Sequence, residues 1–122
     1  MKMVEAQMSE FLKTIELRNR KDIYKEGDEF LILQKDKKGR EYKRSIPVFV
    51  VDYLFAQLKG KRVIREDAQE TLEPKAAEFN LPYHYGHQLG FYAQDVLLVL
   101  VALDKATSTK EGRRYIYTVR PK

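Results

Sequence analysis

The sequence of 122 residues contains no cysteine, which excludes disulfide staples, zinc ribbons and a thiol nucleophile. It also lacks a long apolar run. The longest, Val96 to Leu103, falls far short of the roughly 18 residues a membrane-spanning helix needs. The N-terminal stretch MKMVEAQMSEFLK scatters charge along its length and has no apolar centre, unlike a secretory signal. Glycine is sparse, and residues 27, 39, 60, 86, 90 and 112 are too far apart to build a phosphate-cradling loop. No Ser-His-Asp arrangement, internal repeat or low-complexity segment is present. These absences point to a cytoplasmic protein away from membranes, with no catalytic residue, metal or cofactor. The length suits one domain, residues 1–122, large enough to bury about two thirds of its unfolded surface without a metal or a disulfide.

Charge is what the chain has in abundance, at a formal net +5. It is segregated along the sequence. Lys35 to Arg44 carries six basic residues against two acidic ones, Lys59 to Arg65 carries four against none, and Asp104 to Lys122 six against two. Glu66 to Asp95, in contrast, holds six acids and Lys75 as its one base. If the three basic segments meet on one face, that face suits a polyanion. Otherwise they keep loops and strand edges soluble.

Periodicity gives an α+β protein. Val4, Met8, Phe11, Leu12 and Ile15 recur at helical spacing and predict a helix or mixed segment over residues 3–17, although LKTIELRN also reads as a strand. RNRKDIYKEGDE reads as a polar connection. Phe30 to Leu33, the turn DKKG and the alternating REYKRSI predict a β-hairpin. Residues 1–46 thus form an N-terminal segment and hairpin. PVFVVDYLFAQLKGK then predicts a buried helix from Pro47 to Lys59, with proline in its first turn and Gly60 as its stop. RVIR is a short extended link, and EDAQETLEPKAAEFN a helix interrupted by Pro74. Ala93 to Ala106 is long for a strand and rich in leucine and alanine, so a helix is expected there. The last stretch is a strand, with a partner around Thr107 to Lys110. In it Arg113, Tyr115, Tyr117 and Val119 share one face, and Arg114, Ile116, Thr118 and Arg120 the other.

The segments AAEFNLP, HYGHQLGFYAQDVLLVLVAL and KEGRRYIYTVRP, in the order helix, short strand, helix, turn, helix and hairpin, give residues 47–122 an architecture that resembles the winged helix-turn-helix superfamily. The resemblance implies a small residue at the crossing of the two motif helices, for which Ala76 or Ala77 is placed. It implies a left-handed turn residue followed by an apolar one, as in Asn80-Leu81, and a basic, aromatic wing around Arg113, Arg114, Tyr115 and Tyr117. The function it implies is a small non-enzymatic nucleic-acid-binding or regulatory protein, with DNA favoured. Lys110, Arg113 and Arg114 would meet phosphate. His84, Tyr85, His87 and Gln88 are the candidate contacts from the motif's second helix, and Lys59, Lys61 and Arg62 extend the patch.

Two other classes stay open. The acidic stretch and the very apolar segment Val96 to Leu103 also suit a protein-interaction module or a homodimer. Asp28 followed by Glu41-x-Lys43 is spaced as in a family of metal-dependent nucleases, where two carboxylates hold magnesium and the lysine stabilises developing charge. His84 and His87, three apart, read as a packed or solvated pair rather than a metal site, since Asp95 and Glu78 are the only further ligands spaced anywhere near.

Overall fold

Glu10–Leu17 forms strand β1 and Asn19–Glu26 strand β2 in a computed structural model that describes residues 9–17, 19–82 and 86–122. The helix or mixed segment expected over residues 3–17 is a strand from Glu10 on, the alternative left open for LKTIELRN, and the polar connection expected after it is a second strand; Val4 and Met8 lie outside the described residues. Helical spacing emerges in this region only when lysine is counted as polar. Lys13, Ile15 and Leu17 alternate on one face and pair with Ile23, Lys21 and Asn19. Lys21 is buried to 9% exposure, its stem lying in the apolar layer while its Nζ donates to the Leu17 carbonyl at 3.3 Å.

Strand β3, Glu29–Lys35, and strand β4, Glu41–Pro47, complete a sheet in which each strand pairs antiparallel with the next, in the order β1-β2-β3-β4. The β3–β4 hairpin is the one expected from the sequence. Cross-strand rows such as Ile23–Ile32 and Phe30–Ile46 put the apolar residues on one face, where all four are buried. The free edge at β1 carries a bulge between Phe11 and Lys13, and the other edge presents Lys43 and Arg44, both of which discourage further strand pairing.

Contacts within the chain divide into two compact units, Met1–Phe49 and Val50–Lys122. The boundary falls in helix α1, Val48–Leu58, which buries Val50, Val51, Leu54 and Leu58. Pro47 is the last residue of β4, paired with Glu29, rather than part of the helix's first turn as expected. Gly60, with φ of 80°, ends the helix, and its amide donates to the Val119 carbonyl.

The second unit continues with β5 (Arg62–Val63), α2 (Arg65–Leu72) and a 3-10 turn over Glu73–Lys75 that Pro74 opens. Helix α3 follows at Gly86–Ala102, then β6 (Ala106–Glu111) and β7 (Arg114–Val119). The protein is thus mixed α+β, with a four-stranded sheet, three α-helices and a C-terminal hairpin among the described residues. Among the described residues no helix is long and apolar enough to cross a membrane.

Two left-handed residues set the corners. Asn80 has φ of 59°, as its position in the sequence implies, and the Leu81 amide donates back to the Ala76 carbonyl at 2.8 Å. Asp104 has φ of 62°, and the Lys105 amide donates to the Leu100 carbonyl at 2.8 Å. This second corner ends α3 at Ala102, so Ala106, expected in the helix, begins β6 instead. A small residue at a close approach between helices is Gly90, which the sequence did not single out for that role. Ala76 is buried in the turn and Ala77 is exposed, whereas at Gly90 a Cβ would stand 2.9 Å from the Gln69 side-chain oxygen of α2.

Candidate nucleic-acid interface

The three-stranded sheet of the second unit runs in the order β5-β7-β6, so its two-residue strand β5 lies beside β7 rather than beside its neighbour in sequence. The register fixes which side chains share a face. Arg62, Thr118 and Thr107 form one row, Ile116 and Thr109 the next, and Arg114 and Glu111 the third. These rows make the outer face, because every member except Ile116 is exposed. The opposite face holds Val63, Tyr117, Val119 and Ala106, all buried, with Tyr115 and Lys110 towards the hairpin tip. The two tyrosine positions, not Ile116, are therefore the packing side of the ribbon. Tyr117 is fully buried and its hydroxyl completes no hydrogen bond among the described residues. Burial pushes this phenol up to about 12, with the neighbouring Gln94 amide acting in the opposite direction.

Each expected cation can now be placed. Arg113 stands in the turn of the hairpin and Arg114 opens β7 on the outer face; both are exposed. Lys110 lies on the other face, its ammonium 5.8 Å from the ring centre of Tyr115. Lys59 and Lys61 are exposed at the foot of β5, and the Val119 amide donates to the Lys61 carbonyl at 2.8 Å. Among the described residues these five side chains form no ion pair. Arg62 does, with the carboxylate of Glu111 on β6. Arg120 is committed to the corner after α3, its Nε donating to the Asp104 carbonyl at 2.5 Å. The β5–β7 pairing thus brings together the basic segments at 59–65 and 104–122, while the segment at 35–44 belongs to the first unit.

The helix contacts expected from the sequence are less well supplied. His84, Tyr85 and the side chain of His87 lie outside the described residues, and Gln88 is exposed on the first turn of α3. Helix α3 carries no lysine or arginine, and from Asp95 to Leu100 every residue is buried. Its outward surface near Gln88 is Phe91, 58% exposed, with the Arg65 guanidinium 5.9 Å from its ring centre.

Two features give no binding chemistry. The nuclease triplet does not assemble: Asp28 lies in the turn beside Glu29 and Pro47, whereas Glu41 pairs with Lys35 at the far end of the same two strands. Seven residues of strand separate them by about 20 Å at the usual rise, too far to share a metal ion. An open groove of about 540 Å³ beside β5 is lined by Lys61 and Arg62 together with Asp67 and Glu70, so charges of both signs line it.

Sequence reasoning missed the exposed hydroxyls of Thr107, Thr109 and Thr118, which the alternation of ATSTKE and RYIYTV does signal once the strands are paired. It also missed Glu111, whose partner is 49 residues away and leaves no local mark. Comparison with protein-family models, with curated proteins and with solved structures finds no match for this chain.

Proposed function

We propose that the protein is a non-enzymatic nucleic-acid-binding protein that grips the phosphate backbone with its C-terminal ribbon, as the wing of a winged helix does. The element order of the second unit, with a short first strand beside a C-terminal hairpin, supports that likeness. The observation that carries the reading is the pair Arg113 and Arg114 at the ribbon tip. Both are exposed and form no ion pair among the described residues, and they stand on a sheet whose foot carries Lys59 and Lys61.

Duplex DNA is favoured over single strands. Single-strand binders stack bases on exposed aromatic rings, and the tyrosines at 115 and 117 belong to the packing face, while the outer face offers threonine hydroxyls and guanidinium groups. Those groups bond phosphate and sugar and do not choose a sequence. A lysine- and arginine-free α3 fits the same conclusion, since major-groove helices read bases largely through arginine, lysine, asparagine and glutamine.

Titration of a labelled DNA duplex between 50 and 200 mM salt tests this. Affinity should fall steeply with salt, and replacing both Arg113 and Arg114 by alanine should reduce the slope of log K against log salt by about 1.8, from roughly 0.9 per phosphate contact. A flat response overturns the reading. The exposed Phe91 supports a second one, a protein-interaction module, for which Phe91→Ala would weaken partner binding and leave DNA affinity unchanged.

A further inference from the structure

The ion pair between Arg62 and Glu111 joins the first and third rows of the outer face, and so it has to cross the middle row. That row holds Ile116 and Thr109, and Ile116 is the one apolar residue on this face, only 9% exposed. The two side chains therefore lie along the surface where a phosphate backbone would approach. Glu111 also stands directly opposite Arg114 in the register. One carboxylate thus sits between two guanidinium groups on the face to which the nucleic-acid reading assigns phosphate contacts.

We propose, resting on that reading, that Glu111 is an internal phosphate mimic that limits the ribbon's affinity. It occupies Arg62 in the free protein and yields it to a backbone phosphate in the complex. A carboxylate and a phosphate compete for the same planar fork of donors. The pair is easy to open, because both side chains are more than half or about half exposed, at 59% and 50%, and exposed pairs are weak and salt-screened. Glu111 then has two effects on an arriving polyanion. Its charge repels the phosphate, and its hold on Arg62 must be released before that arginine contributes. The device favours ligands that present several phosphates along the ribbon over isolated anions, which cannot recover the cost of opening the pair.

The test uses the full chain and a fluorescein-labelled 16-base-pair DNA duplex, followed by fluorescence anisotropy from 50 to 200 mM salt. Glu111→Gln keeps the length of the side chain and an oxygen acceptor, so the cover over Ile116 is retained and the melting temperature should match that of the unaltered protein. Its affinity should rise roughly two- to fivefold at 50 mM, the range that an exposed pair is worth. Its salt slope should steepen by up to about 0.9, one further phosphate contact. A merely structural role for Glu111 would leave that slope unchanged. In an Arg62→Ala background the same substitution should give less than half of the gain. Salt-dependent binding by the unaltered chain, with Glu111→Gln indistinguishable from it, overturns this inference alone. A gain undiminished by Arg62→Ala overturns the part assigned to Arg62. Absence of salt-dependent binding by the unaltered chain overturns the nucleic-acid reading and this inference with it.

Discussion

The two units of the chain carry similar numbers of basic residues and use them differently. In the first, every strand pairs with its neighbour in sequence, and acids stand close to the cations they neutralise. Arg40 bonds Asp36 at 2.6 Å within one turn, and Arg20 meets Asp22 two residues away at 3.2 Å. The second unit has local pairs too, Arg65 with Glu66 and Lys75 with Glu78, but its strand order skips, and its sheet draws on segments about fifty residues apart. The cations at its ribbon tip form no ion pair among the described residues, although Glu111 stands opposite Arg114, and the one ion pair on its outer face is the long-range one between Arg62 and Glu111. A run of lysines and arginines is thus a poor guide to a binding face. What counts is which face the fold places each of them on, as well as whether it supplies a carboxylate.

The largest expected difference between the units is in packing. Leu97 in α3 is fully buried, whereas Phe11 on β1 is 52% exposed beside a bulge and meets Tyr24 edge-on at 5.3 Å between ring centres. Leu97→Ala should cost about 2–5 kcal/mol, the usual range for a truncated core leucine. Phe11→Ala should cost less than about 1.5 kcal/mol, the range of a surface aromatic pair. Urea midpoints of the two variants check this, and equal losses would show that β1 is not the peripheral strand described above.

Next comes the contrast in free charge. Lys37 and Lys38 cap the β3–β4 hairpin and are exposed, as are Arg113 and Arg114 at the tip of β6–β7. Removing the first pair to alanine should leave DNA affinity within about twofold, while removing the second should lower it by about tenfold at low salt. Equal losses from both pairs would mean that binding follows net charge rather than the ribbon.

How much of this could be read from the sequence depends on how local the cause is. The β3–β4 hairpin, helix α1 with its Gly60 stop, the left-handed Asn80 and the terminal ribbon are each set by residues within a few positions, and each was expected. Strand β1 was open only as the alternative reading of LKTIELRN, and β2 was not expected, because Lys21 and Lys25 share their face with Ile23 and a polarity pattern cannot see a buried aliphatic stem. The end of α3 was misjudged because aspartate at 104 adopts a conformation more often taken by glycine or asparagine. At the candidate interface the cations were legible one by one. Their division into Arg114 on one face, Lys110 on the other and Arg62 held by Glu111 was not, since it follows from a register that joins residues far apart in the chain.

The left-handed corners give a smaller effect. A residue other than glycine at positive φ costs about 1 kcal/mol, and asparagine and aspartate bear it best. Asn80→Ala should therefore lower stability by about 1 kcal/mol, and Asn80→Gly should leave it level or slightly higher, as read from urea unfolding. If alanine were neutral, the turn between α2 and α3 would not be held at φ of 59° in solution.

The smallest effect lies in the first unit and is one of pH. Desolvation acts to raise the Asp36 carboxyl, but hydrogen bonds from the Arg40 amide and guanidinium, the Lys38 amide and the Tyr42 hydroxyl outweigh it and hold the group below its ordinary value of 3.8. A carboxylate lowered in the folded state stabilises above its unfolded value, and that contribution disappears as pH falls through the lowered one. The β3–β4 turn should therefore be unaffected from neutral pH down to about 5 and loosen only under stronger acid, as NMR shifts of the Lys38 and Arg40 amides would report. Asp36→Asn should abolish that acid transition at these two amides. Because the bonds of Asp36 lie within its own hairpin, the same substitution should leave the salt dependence of DNA binding unaltered. A change in that salt slope would show that the local neutralisation of Arg40 by Asp36 also shapes the binding face.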